Sequence, residues 1–248
     1  MRDIQSKWDT LGKDDPLWAI LSDNAKAGNR WNVDEFFATG QATVDAALAR
    51  VASLGLHPGR GRALDFGCGV GRLTQALADH FDEACGVDVA PSMIQGARRY
   101  NRHGDRCTYY VNNADNLTIF PDSHFDFVYS ALVLQHIHPQ YSARYMQEFV
   151  RVLRPGGVGL FQMPAVRLTP APSSVRHAIK SLLPSPLLTA YRKLRYGAVP
   201  AVPEFDMYDI PQDQVESLLR GAGAQLIAML PDTDEAPPWL SYWYAFTK

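Results

Sequence analysis

The sequence predicts an α/β fold in which a mostly parallel sheet is flanked by helices. Three features carry that expectation. Leu64-Asp65-Phe66-Gly67-Cys68-Gly69-Val70-Gly71-Arg72 reads as a short buried strand, a glycine turn and the start of a helix, the succession that opens a ligand site in an open sheet. Roughly 20 residues later a second apolar strand, Ala84-Cys85-Gly86-Val87-Asp88, ends in an acid. Further apolar runs of strand length then alternate with segments of helical period. A chain of 248 residues that is 46% hydrophobic is large enough for one such core, so 1–248 is read as a single domain.

Residues 1–58 precede the sheet and read as a helical cap. Trp8, Leu11, Leu17, Trp18, Ile20 and Leu21 make its first part aromatic-rich; Val44, Ala47, Leu48, Val51 and Leu54 then keep helical spacing until His57-Pro58-Gly59. The ligand-binding core spans 60–162. After the glycine turn, Leu73, Ala76, Leu77, His80 and Phe81 are again helically spaced. Pro91-Ser92-Met93-Ile94 opens the next helix with proline in its favoured first turn. Cys107–Val111 and Phe125–Ala131 are the third and fourth strands, and a helix covers about Ser142 to Leu153. Arg154-Pro155-Gly156-Gly157 turns into a fifth strand, Val158–Gln162. Residues 163–208 break the alternation with prolines at 164, 170, 172, 184, 186, 200 and 203, between which two short helices fit at 173–183 and 186–196. Residues 209–248 complete the sheet with a helix ending at Gly221-Ala222-Gly223 and strands at Ala224–Leu230 and Trp239–Phe246.

A dinucleotide site asks for G-x-G-x-x-G. Here the third glycine comes one residue early, at Gly71, and Arg72 takes its place. Asp65 would repel a pyrophosphate and suits a ligand carrying an ammonium and a sulfonium, while Asp88 is placed for paired ribose hydroxyls. Together Asp65, Gly67, Gly69, Gly71 and Asp88 resemble the first two motifs of class I S-adenosylmethionine-dependent methyltransferases, of the bacterial small-molecule or saccharide O-methyltransferase type. The Arg154-Pro155-Gly156-Gly157 turn is similar to theirs too. The resemblance is close over 60–163, loose over 205–248 and absent elsewhere. It implies a Rossmann-like sheet of seven strands whose last strand is antiparallel and forms a hairpin with the sixth. It also implies S-adenosyl-L-methionine as cofactor, held by Asp65, Gly67, Cys68, Gly69, Gly71, Arg72, Asp88, Val89, Met93, Asn113, Ala114 and Ser130. In the family an Asp accepts from the adenine amino group. Aligned on Asn116-Leu117 and Phe120-Pro121-Asp122, that position is Asn113, whose amide oxygen can accept the same bond, with Asp115 the alternative. From the cap, Arg30, Trp31 and Phe36 are expected nearest the cofactor.

Methyl transfer is an in-line displacement helped by positioning, and a hydroxyl acceptor gains from a base. His136, following the fourth strand, is the first candidate and His138 the second; capping or packing is the other reading of both. No carboxylate follows that strand closely, so no metal is expected. Cys68, Cys85 and Cys107 fall in or beside core strands and read as reduced thiols of a cytoplasmic protein. A net charge of −2, and no Asn/Asp-Pro-Pro-Tyr/Phe element, disfavour nucleic acid as a partner. No apolar run approaches about 18 residues, so no transmembrane segment is expected, nor is a signal region. The window from Phe149 to Pro203 lacks acids but holds Arg151, Arg154, Arg167, Arg176, Lys180, Arg192, Lys193 and Arg195. It reads as a basic lid in the insert or as a solvated or homo-oligomer contact surface. Aromatic residues outside the motifs suit sugar rings, so the expected acceptor is a saccharide or related small-molecule hydroxyl, as in polysaccharide biosynthesis. The alternatives are a lipid or isoprenoid-type acceptor, with the Leu182-Leu183 and Leu187-Leu188 region at a membrane surface, and a non-catalytic cofactor-binding module.

Overall fold

Alternation along one central strand sets the two faces of the sheet. That strand is β1 (Arg62–Phe66). Leu64 and Phe66 point to one face and Ala63 to the other. In the computed structural model, which describes residues 2–167, 206–233 and 239–248, seven strands form one sheet. The others are β2 (Glu83–Asp88), β3 (Cys107–Val111), β4 (Phe125–Ser130), β5 (Leu153–Arg167), β6 (Gln225–Pro231) and β7 (Trp239–Thr247). Their order is β3-β2-β1-β4-β5-β7-β6. Strands β1 to β5 are parallel, and β7 is antiparallel to both of its neighbours. This is the Rossmann-like sheet with an antiparallel last strand that the sequence predicts. The strand order reverses between β1 and β4, where a crevice opens at the carboxyl edge.

Helices α1 (Arg2–Asp14), α2 (Pro16–Ile20) and α3 (Val33–Ser53) form the cap; α4 (Arg72–Leu77), α5 (Pro91–Tyr100), α6 (Pro139–Val152) and α7 (Gln212–Gly221) complete the layers. Leu64, Phe66 and Val128 pack with Tyr145, Met146 and Phe149 of α6 and Val215 and Leu219 of α7. Ala63, Phe127 and Tyr129 pack with Val44, Ala47 and Val51 of α3 and Leu73 and Leu77 of α4. Each large apolar side chain so buried contributes about 1.5–3 kcal/mol. Helix α3 starts where Asn32 Oδ1 accepts from the Glu35 amide (3.0 Å). At Gly40 it crosses α4 so closely that a Cβ would stand 2.4 Å from the Arg72 carbonyl oxygen. A third, smaller cluster of Leu17, Phe36, Val70, Ala90 and Met93 mounts the cap on the glycine turn.

Two expectations change. β5 is not confined to 158–162: it starts at Leu153, taking in the expected turn at Arg154–Gly157, and continues to Arg167, which pairs with Trp239, because β7 offers an antiparallel partner from Val158 to Arg167. It therefore takes the first residues expected of the insert. Arg151 and Arg154 do not belong to a basic surface either: Arg151 pairs with Glu148 and Asp122, and Arg154 with Asp126. The helices expected at 173–183 and 186–196, with Arg176, Lys180, Arg192, Lys193 and Arg195, lie outside the described residues. The three cysteines are free and buried. Among the described residues no helix is long and apolar enough to cross a membrane.

Candidate active site

A cavity of about 400 Å³ lies at the carboxyl ends of β1, β2 and β4, floored by the glycine turn. Gly67, Gly69 and Gly71 have φ of +79°, +53° and +82°, a region that side chains rarely adopt. A Cβ on Gly67 would stand 2.2 Å from Val133 Cγ2, and one on Gly69 2.6 Å from Ile20 Cδ1. The missing side chains thus let the loop after β4 and the cap close over the turn. The amides of the turn face inward. Gly67 and Cys68 donate to the Val87 carbonyl (2.8 and 3.0 Å), Gly71 to the Cys68 carbonyl (2.9 Å) and Gly69 to Asp88 Oδ2 (2.9 Å). A turn with these amides already spent is a poor cradle for phosphate.

Two carboxylates flank the turn. Asp88 lines the cavity, half-buried, and its Oδ1 accepts from the Ala90 amide (2.8 Å). Each oxygen keeps acceptor capacity for one more donor, which suits a vicinal diol. Burial raises its pKa, opposed by the Ala90 and Gly69 amides. Asp65 lies beneath the turn, 1% exposed. Its Oδ2 accepts from Thr74 Oγ1 (2.6 Å), and its Oδ1 has no partner among the described residues. Burial pushes its pKa up to about 6 against the Thr74 hydrogen bond and the Arg72 charge. A buried carboxylate with one oxygen unpartnered favours a cation nearby.

Of the residues expected to hold the cofactor, Gly67, Cys68, Gly69, Arg72, Asp88, Val89 and Met93 line the cavity. Asp65 and Gly71 sit behind it, the latter as the N-cap of α4. Ser130 is buried and donates to the Phe66 carbonyl (3.1 Å), tying β4 to β1. Asn113 is exposed and Ala114 is off the wall; the wall residue is Asn112. Its amide is bonded to the Asp88 carbonyl (2.9 Å), which holds it at the strand end, and its Nδ2 donates to the Asn116 carbonyl (2.7 Å). Tyr145, which the sequence reading missed, lines the cavity and donates to the Ala114 carbonyl. The cap contributes Ile4, Trp8, Ile20 and Leu21 rather than Arg30, Trp31 and Phe36. Arg30 and Trp31 are tied to backbone carbonyls of Ala27 and Leu21, and Phe36 is fully buried in the third cluster. The i,i+4 spacing of Ile4 and Trp8 was the available signal.

The opposite wall follows β4. Leu132 sits at φ +61° and is 46% exposed, an uncommon backbone state for a leucine that needs support from its surroundings. Support comes from Gln162, whose Oε1 accepts from the Leu132 amide (2.9 Å) and whose Nε2 donates to Asp232 Oδ2 (2.5 Å). His136 ends a single 3₁₀ turn, Leu134–His136, with its ring edge-on to Trp8 (5.6 Å between centroids). Burial lowers its pKa to about 4, so the imidazole is neutral at pH 7. His138 is the N-cap of α6, its Nδ1 accepting from the Gln140 amide (3.4 Å). It lines a second recess of about 130 Å³, which shares Ile4, His136 and Ile137 with the large cavity. Among the described residues no three His, Cys, Asp or Glu side chains are grouped to hold a metal.

Residues 64–161 match the family model described as a methyltransferase domain. Over that stretch, about two fifths of its length, the chain is similar to a methyltransferase domain. Over 143 residues it is 34% identical to the biotin biosynthesis bifunctional protein BioHC of Cellvibrio japonicus, covering 54% of this chain and 27% of that one. Over 142 residues it is 32% identical to the malonyl-[acyl-carrier protein] O-methyltransferase of Serratia marcescens, covering 54% and 52%. The chain thus spans about half or less of these relatives' length. The crystal structure of magnesium protoporphyrin IX methyltransferase from Synechocystis PCC 6803, with bound SAH, superposes with a TM-score of 0.62 at 17% identity, covering 100% of this chain and 99% of that one. A second crystal structure of that Synechocystis protein holds bound SAM, S-adenosylmethionine, the ligand that the sequence resemblance implies here. The residues present fit it: inward amides, a diol-ready Asp88 and a buried Asp65 with an unpartnered oxygen suit a ligand that is cationic at its sulfur and amine.

The buried Asp65 carboxylate therefore costs stability once it ionises. Between pH 4 and 6 the folded state binds more protons than the unfolded chain, because its pKa is raised from 3.8 to about 6. Stability is expected to fall as pH rises through that window, by about 3 kcal/mol at 1.36 kcal/mol per pH unit. Asp65→Asn removes this loss. At pH 8 denaturant titration should find the variant more stable than the parent, while calorimetry finds weaker cofactor binding. A variant less stable at pH 8 than at pH 4, relative to the parent, would contradict the assignment.

Proposed function

We propose that the protein transfers a methyl group from S-adenosylmethionine to a hydroxyl of a small molecule, with a saccharide as the leading acceptor. The observation that carries this reading is the position of neutral His136 on the wall common to the large cavity and the adjoining recess. The cofactor supplies an electrophilic methyl; the chain binds, orients and excludes water. Asp88 takes the ribose hydroxyls, the strand end at Asn112 faces the base, and Asp65 offsets the positive charge over the glycine turn. Trp8, Ile20 and Leu21 cover the cavity from the cap and keep water from it. His136 holds the proton of the acceptor hydroxyl. Its low pKa makes it a weak base, so its contribution belongs at the lower end of the general-base range, roughly a hundredfold.

His136→Gln is expected to lower turnover by ten- to a hundredfold while the dissociation constant for S-adenosylmethionine stays within about twofold. Imidazole NMR should find the His136 midpoint near 4, so this group imposes no inflection on the rate between pH 6 and 8. Unchanged turnover would remove His136 from the chemistry. A second reading, a lipid or isoprenoid-type acceptor, is favoured by the apolar wall of Ile4, Trp8, Ile20 and Val133 and by exposed Leu132 at its edge. Methyl transfer that depends on lipid vesicles would select it. Cofactor binding without transfer to any acceptor would leave a binding module.

A further inference from the structure

The recess beside the cofactor cavity has a composition of its own. Asp3, Lys7, His138, Tyr141, Asp206 and Tyr208 surround it. The His138 ring lies 5.4 Å from that of Tyr208 and 6.2 Å from that of Tyr141, so one wall is aromatic. The other wall is charged, and its one lysine is already engaged. Lys7 Nζ pairs with Asp3 at 3.0 Å, and Asp3 together with Asp206 raises the lysine pKa. Two carboxylates thus face one ammonium, an environment rich in acceptors and unfavourable to an anion. On the wall of the large cavity, next in sequence to His136, which lines both spaces, Gln135 is 7% exposed, and its Oε1 has no partner among the described residues. A buried oxygen on a cavity wall pays a desolvation penalty unless something donates to it. The Gln135 carbonyl accepts from the Tyr208 amide (2.8 Å), which fixes the two sides of the junction to each other. At about 130 Å³ the recess holds a few waters' volume, the footprint of one ring rather than of an extended chain.

We propose that this recess is the acceptor subsite and that it takes an uncharged, polyhydroxylated ring rather than an anionic one. The inference rests on the methyl-transfer reading above. Aromatic faces stack on the C–H face of such a ring. Asp206 and Asp3 accept from its hydroxyls, and Gln135 Oε1 accepts from the hydroxyl nearest the cavity. Phosphorylated or carboxylated rings would meet the two acids with no uncommitted lysine or arginine among the described residues that line the recess.

The test uses the full chain loaded with S-adenosylhomocysteine. Methyl α-glucopyranoside and methyl α-rhamnopyranoside are compared with glucose 6-phosphate and glucuronate by saturation-transfer NMR and calorimetry. The neutral glycosides should bind and the anionic sugars should not. Asp206→Ala and Tyr208→Ala should each weaken glycoside binding by about three- to tenfold, the worth of one hydrogen bond or ring contact, without changing affinity for S-adenosylhomocysteine. Asp206→Lys should admit glucose 6-phosphate. A parent protein that prefers the anionic sugars, that binds no glycoside while loaded, or whose glycoside binding ignores both alanine variants overturns the proposal. Failure to bind S-adenosylhomocysteine at all would instead overturn the reading on which it rests.

Discussion

Replacing Asp88 with alanine should raise the dissociation constant for S-adenosylmethionine tenfold or more and lower the melting temperature together with it. A hydrogen bond to a charged group contributes about 1.5–3 kcal/mol, and a diol makes two. The same carboxylate accepts from the Gly69 and Ala90 amides (2.9 and 2.8 Å). The variant therefore leaves two donors unpartnered beside the cavity, at about 1–3 kcal/mol for each that water does not reach. Asp88→Asn separates the two effects. Its single carbonyl oxygen can still accept from one of the amides, so stability should recover in part while cofactor affinity stays low. Calorimetry with S-adenosylhomocysteine and a thermal melt read both. An unchanged dissociation constant in the alanine variant would remove Asp88 from the ribose site.

Gly67→Ala should be at least as damaging, through shape alone. The residue sits at φ +79°, where an alanine costs about 1–2 kcal/mol. Its new Cβ would lie 2.2 to 2.9 Å from the whole Val133 side chain. Val133 must move, and with it the loop that carries Leu132 and His136. The expected result is loss of cofactor binding by a hundredfold or more, with a stability loss of about 1–3 kcal/mol from overpacking. A compensating Val133→Ala in the Gly67→Ala background should restore part of both. If it restores neither, the backbone conformation and not the contact is the cause. If Gly67→Ala binds the cofactor normally, the close approach of these two loops does not shape the site.

The distribution of success between sequence and structure follows from how local each feature is. The buried strand Leu64–Phe66, the glycine turn and the acid ending β2 were readable because each is a short run whose residue types answer to local backbone geometry and burial. The Asn112-for-Asn113 difference arises one residue past a strand end, where the pairing of Asn112 with Asp88 decides which side chain turns inward. The length of β5 depends on β7, more than 70 residues away in the chain, and no run within β5 announces it. The cap behaves in the same way. Trp31 and Phe36 looked as apt as Trp8 from composition, but their placement depends on how α1 and α3 dock on α5 and α4.

The sequence alone determined the doubly flanked sheet, the glycine turn and the positions of the two acids beside it, since strand burial, positive φ and carboxylate position are properties of short segments. Only the tertiary structure decided that Asp65 is buried with one oxygen unpartnered among the described residues, that His136 is desolvated against Trp8, and that Lys7, Asp206 and Tyr208 meet beside it. Each of those depends on which distant segments exclude water from a group, and solvent exclusion is a property of the packed molecule rather than of any stretch of its chain.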